Sequence, residues 1–359
     1  MHEPFETLIA AAIRAPSGDN TQPWRFVVDT DGRRIELHVD ESRDPSPMNA
    51  GQRMSRLALG AALENMIRAA ESLGWDIELD DPPAPALASV RLVECPPAQR
   101  ELDPTITARV TNRHVYDGRA LSWDLAAKLE HQTPDQDGVC THWIVDRDRI
   151  SALASLIGRS DALMLGEPSM RRAFLENIRF DLPWGAEAEE GLSLASLELS
   201  TPDRLALRII PRIPNWLLKI GGAARKFAAT GCKLVASSSG ICVVVEPDGK
   251  PESELIAGRA MQRAWLALTA HGLAAQPMMS LAILESVVSR GTPQLLASLG
   301  RERAEALVEE FRNLVADGGR GSIAFIMRFG FAPPPTAVTK RLPLFASVIR
   351  TPASARALS

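Results

Sequence analysis

Apolar residues recur at helical spacing through residues 53–73, where Leu57, Ala61, Met66, Ala69, Ala70 and Leu73 share one face and Gly74 follows as a C-cap. The same period predicts helices over 4–14, 122–131, 149–179, 253–271 and 282–316. Shorter β-rich runs predict strands: 25–29 and 35–39 form a hairpin turning at Asp31-Gly32, with further strands at 75–79, 142–146, 241–246 and 322–329. Pro82 to Pro85 reads as a turn, and Pro333 to Pro335 as a turn before an extended tail that wraps over other elements. The stretch 183–233 gives no clear pattern. Strands and helices interleave without a regular β-α-β beat, so the pattern favours an α+β sandwich over a doubly wound parallel sheet.

Two of the helices invite comparison. Gly60 to Gly74 and Gly258 to Gly272 span the same number of residues, and each helix follows a strand with an acidic end, Val27-Val28-Asp29 or Val244-Val245-Glu246. Such shared spacing fits an internal repeat, and it also fits chance between two amphipathic helices.

With 359 residues, 45% of them hydrophobic, the chain can bury a sizeable core. A net charge of -4 with mixed signs offers no general field for nucleic acid. Cys95, Cys140, Cys232 and Cys242 form no C-x-x-C pair, and the six histidines show no zinc spacing beside them, so no metal site and a reduced cytoplasmic setting are expected. The apolar run Leu8 to Ile13 lacks a basic lead-in, so it is not read as a signal peptide. Residues 205–227 are rich in Ile, Leu and Trp but are interrupted by Arg208, Pro211, Arg212, Pro214 and Lys219. They are too short to span a bilayer, though basic and amphipathic enough to touch its surface, with a packing helix or lid as the alternative.

Chemistry is signalled first at Ala15-Pro16-Ser17-Gly18-Asp19-Asn20-Thr21-Gln22-Pro23-Trp24. Small, turn-forming and amide residues there can approach a planar ligand while Trp24 anchors the loop, although an ordinary helix-to-strand turn has the same composition. In a second string, Arg109 to Tyr116, Arg109, Thr111 and Arg113 alternate as a phosphate-binding extended segment would, or as a solvated basic loop would. No Gly-x-Ser-x-Gly elbow accompanies Ser17, which argues against a hydrolase.

The first string resembles the nitroreductase superfamily signature Ala-Pro-Ser-x-x-Asn-x-Gln-Pro-Trp almost letter for letter. Arg109, Thr111 and Arg113 are similar to that family's Arg-x-Ser-x-Arg, with Thr for Ser; Gly272 to Met279 resembles its loop beside the flavin ring, and Lys340-Arg341-Leu342-Pro343 its C-terminal basic element. The resemblance implies a three-layer sandwich of mixed and antiparallel sheets flanked by helices, binding flavin mononucleotide (FMN). It also implies cofactor contacts from Pro16, Ser17, Gly18, Asn20, Gln22, Arg109, Thr111, Arg113, Pro277, Met278, Met279, Lys340 and Arg341.

In ordinary members the arginine motif comes first and two subunits share each site. Here the Ala-Pro-Ser loop comes first, and Thr133-Pro134-Asp135-Gln136 is its decayed counterpart in the second half. The layout resembles the Acg-like branch and implies a single-chain pseudo-dimer, with repeats over 1–105 and 106–359 and a lid-like insertion over 183–233. The implied activity is hydride transfer from NAD(P)H through FMN to a small aromatic, quinone or nitro acceptor; the alternative is a protein that sequesters flavin. Self-association beyond the internal pairing stays open.

Overall fold

The computed structural model describes residues 3–96, 101–213, 217–218, 222–315 and 321–350. Parts of the 205–227 segment, the end of the helix expected to reach 316, and the chain past 350 therefore lie outside the described residues.

The strands, in chain order, are β1 (Trp24–Asp29), β2 (Arg34–Val39), β3 (Asp76–Asp80), β4 (Ala88–Glu94), β5 (Cys140–Ile144), β6 (Ile178–Arg179), β7 (Leu192–Ser193), β8 (Gly240–Glu246), β9 (Ala274–Pro277), β10 (Ser322–Gly330) and β11 (Val348–Arg350). They form a five-stranded sheet ordered β11-β1-β2-β4-β3, a four-stranded sheet ordered β5-β8-β10-β9, and a two-stranded pair β6-β7. The first sheet is mixed, because β11 runs parallel to β1 while the other pairs are antiparallel. The second is antiparallel throughout. The fold is α+β.

Burial explains the difference in sequence texture between the sheets. Along β1, Trp24, Phe26 and Val28 are buried and Arg25 is exposed, as expected of a sheet covered on one face. Along β8 the run Gly240 to Val244 is buried throughout, with Cys242 and Val244 in one core and Ile241 and Val243 in another. That sheet has helices on both faces.

Two central helices, Arg53–Leu73 and Pro251–Ala270, cross between the sheets. The crossing is reciprocal. A Cβ on Gly60 would stand 2.9 Å from Gly258 Cα and would strike the Leu255 carbonyl; one on Gly258 would lie 2.9 Å from the backbone of Leu57 and would strike its carbonyl. Each helix thus meets, at its glycine, the residue three positions before the other's glycine. Glu64 on the first helix binds Arg259 and Arg263 on the second, both at 3.1 Å. The first helix ends, as the pattern predicts, on Gly74 in a left-handed conformation.

Other boundaries differ from expectation for local reasons. The helix expected over 149–179 is two helices, Arg147–Gly166 and Pro168–Glu176, because Pro168 lacks the amide needed to continue the first and opens the second. The helix expected over 282–316 is three, Ser280–Arg290, Pro293–Leu299 and Arg301–Val315, parted at Gly291-Thr292-Pro293 and at Gly300 with φ 82°. Strand β4 had no distinct sequence signal, and β11 is recruited from the tail. Among the described residues no helix is long and apolar enough to cross a membrane. All four cysteines are free thiols.

Candidate functional site

A cavity of about 630 Å³, within the range of small-molecule sites, is lined by residues drawn from distant parts of the chain, Arg14 to Arg341. Its walls come from the loop after the first helix, both central helices, the 107–113 segment, β9 with the following helix, and residues 337–341.

The loop 15–24 is held in an unusual shape. Asp19, Asn20 and Gln22 all have positive φ (44°, 59° and 54°), a conformation costly for residues other than glycine and kept only where neighbours enforce it. The enforcement is visible. Ser17 Oγ accepts from the Gln22 amide at 3.0 Å, and Trp24 is buried beneath. Asn20 Nδ2 donates to the carbonyls of Glu189 (3.1 Å), Lys340 (3.3 Å) and Gly191 (3.4 Å), and its Oδ1 accepts from Arg341 (3.0 Å). Gln22 donates to Glu189 O at 2.7 Å and accepts from the Leu342 amide at 2.9 Å. The two amides therefore clamp residues 189–191 and the tail onto the loop.

The segment after the short helix Pro104–Ala108 lies beside β9: Thr111 bridges Ala275 in parallel, and the Asn112 amide donates to Ala275 O at 2.9 Å. This pairing brings two separately recognised motifs side by side. Arg109, Thr111 and Arg113 all line the cavity, with Val110 between them.

Arg109 is buried, stacks 4.5 Å over the Trp265 ring, and donates to Arg14 O at 3.0 Å, while its Nε has no partner. Arg341 donates to Ala15 O (2.7 Å) and Ile13 O (2.8 Å). Arg14 completes a cluster of three guanidiniums on the cavity wall, and among the described residues none of the three has a carboxylate partner. Burial, then the neighbouring cations, push Arg109 well below the usual arginine range, and burial with Arg14 brings Arg341 down to about 10. The carbonyls of residues 13–15, at the negative end of the first helix, only partly offset this repulsion. An anion placed among the three would relieve it.

Arg113 stands among different neighbours, donating to Ser196 O at 2.9 Å and facing Asp19, Tyr116 and Glu198. Arg109 and Arg113 both line the cavity, and Arg109 is grouped there with Arg14 and Arg341. Asp19 accepts from Asn177 at 3.2 Å, and burial raises its pKa. Asp44 is pushed up to about 6 by burial and by Asp19. Asp161, from the helix Arg147–Gly166, is pushed up to about 7 by burial, with the Ser280 hydroxyl opposing the rise. The cavity therefore has a cationic wall and carboxyl groups whose pKa values burial raises. Met48, Met54, Leu57, Met261, Trp265 and Phe325 supply its apolar surface.

Of the residues singled out in the sequence, Pro16, Ser17, Gly18, Asn20, Arg109, Thr111, Arg113, Pro277, Met279 and Arg341 line this one cavity. Gln22, Met278 and Lys340 do not: Gln22 serves the clamp, Met278 packs into the second core, and Lys340 pairs with Glu187 at 3.2 Å. Sequence reasoning missed Arg14, Trp265, Asp44 and Asp161. Arg14 sits directly before the recognised loop, whereas Asp161 reads as one more polar residue on an amphipathic helix.

No protein-family model matches the chain. It is 28% identical to an uncharacterized protein of Mycobacterium tuberculosis across 94% of this chain and 47% of that protein. It is 32% identical to a "Putative NAD(P)H nitroreductase" of the same species over 123 residues, covering 32% of this chain and 34% of that one. The chain thus spans half or less of the length of these relatives. Among solved structures it is similar to the FMN-dependent nitroreductase NfnB from Mycobacterium smegmatis in complex with NADPH (14% identity, TM-score 0.31, 64% of this chain and 86% of that one). A nitroreductase-like family protein from Bacillus cereus is similar too (12%, 0.32, 69% and 95%).

Proposed function

We propose that this chain binds one FMN in the cavity between its halves and acts as a flavin-dependent NAD(P)H oxidoreductase of the nitroreductase type. The observation that carries the reading is the convergence of the Ala-Pro-Ser loop, the Arg109 to Arg113 segment and Arg341, distant in sequence, on one cavity. The name of the relative matching over 123 residues agrees with it.

The residues suit the cofactor. Three guanidiniums without carboxylate partners, one with an orphaned buried Nε, match a phosphate dianion, and the methionines, Trp265 and Phe325 match an aromatic ring system. When bound, FMN would supply the redox chemistry, taking hydride from a nicotinamide and passing it to an acceptor. The chain's own residues orient and enclose. Arg14, Arg109 and Arg341 fix one end, the loop 16–20 holds backbone and hydroxyl donors along the wall, and Asp161, raised to about 7 by burial, holds a proton there below that pH.

The reciprocal Gly60/Gly258 crossing and the division of motifs between the halves support reading the chain as two repeats, 1–105 and 106–359, that form one site between them. Residues 183–233 are read as an insertion, from which Leu192 and Ser196 reach the cavity. The clamp on 189–191 favours, as a second reading, a protein that holds flavin without turnover.

Reconstitution tests the proposal. About one FMN per chain is expected, and Arg109→Met should weaken binding by roughly 1.5 to 3 kcal/mol, the range for a hydrogen bond to a charged group, while His114→Ala changes it little. Equal losses from both variants, or two FMN per chain, would refute the site. NADPH oxidation with menadione separates a reductase from a flavin carrier.

A further inference from the structure

Residues 201–233 contain seven Lys or Arg against one carboxylate, Asp203, in a chain whose net charge is -4. That carboxylate is engaged by Lys226 and by Ser200 at 2.6 Å. The short helix Thr201–Ile209 sorts this composition by face. Leu207 turns inward onto Ile178 and Leu194, while Leu205, 62% exposed, and Ile209, 44% exposed, share the outer face one turn apart. Arg208 and Arg212 are exposed alongside them, with the Arg212 guanidinium folded back onto Arg208 O at 3.0 Å. Trp184, 53% exposed, flanks the helix with its ring 3.7 Å beneath Arg204.

An aliphatic ridge edged by arginines and an amphipathic tryptophan has the chemistry of the headgroup zone of an anionic bilayer. There the apolar groups enter the acyl boundary and the guanidiniums meet phosphate. We infer that this face docks the protein on an anionic membrane surface, with Leu205, Ile209 and Trp184 entering the interface and Arg208 and Arg212 holding lipid phosphates. Nucleic acid would engage the arginines but would gain nothing from the aliphatic ridge. The inference does not depend on the flavin reading, since no residue of the patch lines the cavity.

Vesicle co-sedimentation of the full chain at physiological salt tests it. Binding is expected to phosphatidylcholine vesicles containing about one-quarter phosphatidylglycerol and not to phosphatidylcholine alone. Each interfacial arginine contributes about fivefold, so Arg208→Gln with Arg212→Gln should weaken binding roughly 25-fold. Leu205→Ser with Ile209→Ser should weaken it at least about tenfold. All four positions are exposed, so the variants should keep the wild-type melting temperature and cavity-ligand binding. The inference is overturned if the wild type ignores anionic vesicles or if neither double variant changes binding. RNA displacing the wild type and the serine variant equally well, or patch-dependent dimers by sedimentation velocity, would also overturn it.

Discussion

Replacing Gly258 by Ala tests whether the crossing of the central helices sets both stability and cavity shape. The new Cβ would stand 2.9 Å from the Leu57 carbonyl carbon and Cα and nearer still to its oxygen, all of it backbone that no side-chain rotation can move aside. Restoring ordinary contact requires the helices to part by about an ångström at their closest point, and overpacking of this kind costs roughly 1 to 3 kcal/mol, more where backbone meets backbone. Alanine returns about 1 kcal/mol through its better helix propensity. With the cost at the upper end of that range, because the contact is backbone on backbone, the net expectation is a loss of about 2 kcal/mol. Because Met54, Leu57 and Ala58 reach the cavity from one helix and Met261 and Trp265 from the other, FMN affinity should fall with it. Gly74→Ala is the control: its site is open but its φ is 74°, so only backbone strain of about 1 kcal/mol applies. Urea denaturation and FMN titration of the three proteins give the answer. A Gly258→Ala protein as stable as wild type would refute the close crossing.

Asp161 ties stability to pH. Its folded pKa, about 7, lies above the ordinary 3.8, so the native state keeps a proton that the unfolded chain releases. Stability from this group is full below pH ~4 and is lost as pH rises to ~7, by at most roughly 4 kcal/mol. Asp161→Asn should flatten the pH dependence of urea stability across that window, and a slope equal to wild type would contradict the assignment. Arg53 is buried against Glu246 (3.0 Å), Glu254 and Glu285 (both 3.4 Å), with Arg56, Arg290 and Arg312 pairing with Glu254 or Glu285 from outside. Arg53→Met strands buried carboxylates and should cost about 3 to 5 kcal/mol in chemical denaturation, against less than 1 for the exposed pair partner Arg159→Met.

The elements with the strongest periodicity, 53–73 and 251–270, were legible to within a few residues, and so was the hairpin 24–39, because each buries one face and says so in its spacing. The long helical stretches were misread where Pro168, Pro293 and Gly300 cut a continuous apolar period: the period reports which face is buried, not whether the backbone turns. Strand β11 could not be foreseen. Val348 to Arg350 is too short to mark itself, and its partner lies more than three hundred residues away. At the cavity, local strings pointed to the loop and the arginines, but they could not distinguish Asn20, which both clamps and lines the wall, from Gln22, which only clamps. Nor did they reveal that Arg14 joins Arg109, since that depends on how the first helix ends against the 107–113 segment.

The parallel pairing of Phe26, Val27 and Val28 with Val348, Ile349 and Arg350 bears on the order in which the molecule can assemble. A ribosome releases β1 long before its outer neighbour exists, so the emerging hairpin must wait with one unpaired edge while the chain from β2 to Arg350 is made. Closing a loop of that length adds little entropy per extra residue, but it makes the last contacts strongly non-local and slow to find. Residues 340–342, which clamp the loop 15–24, arrive in the same late stretch. The loop 15–24 therefore gains its clamp, and β1 its outer neighbour, only after the chain has been made past residue 350.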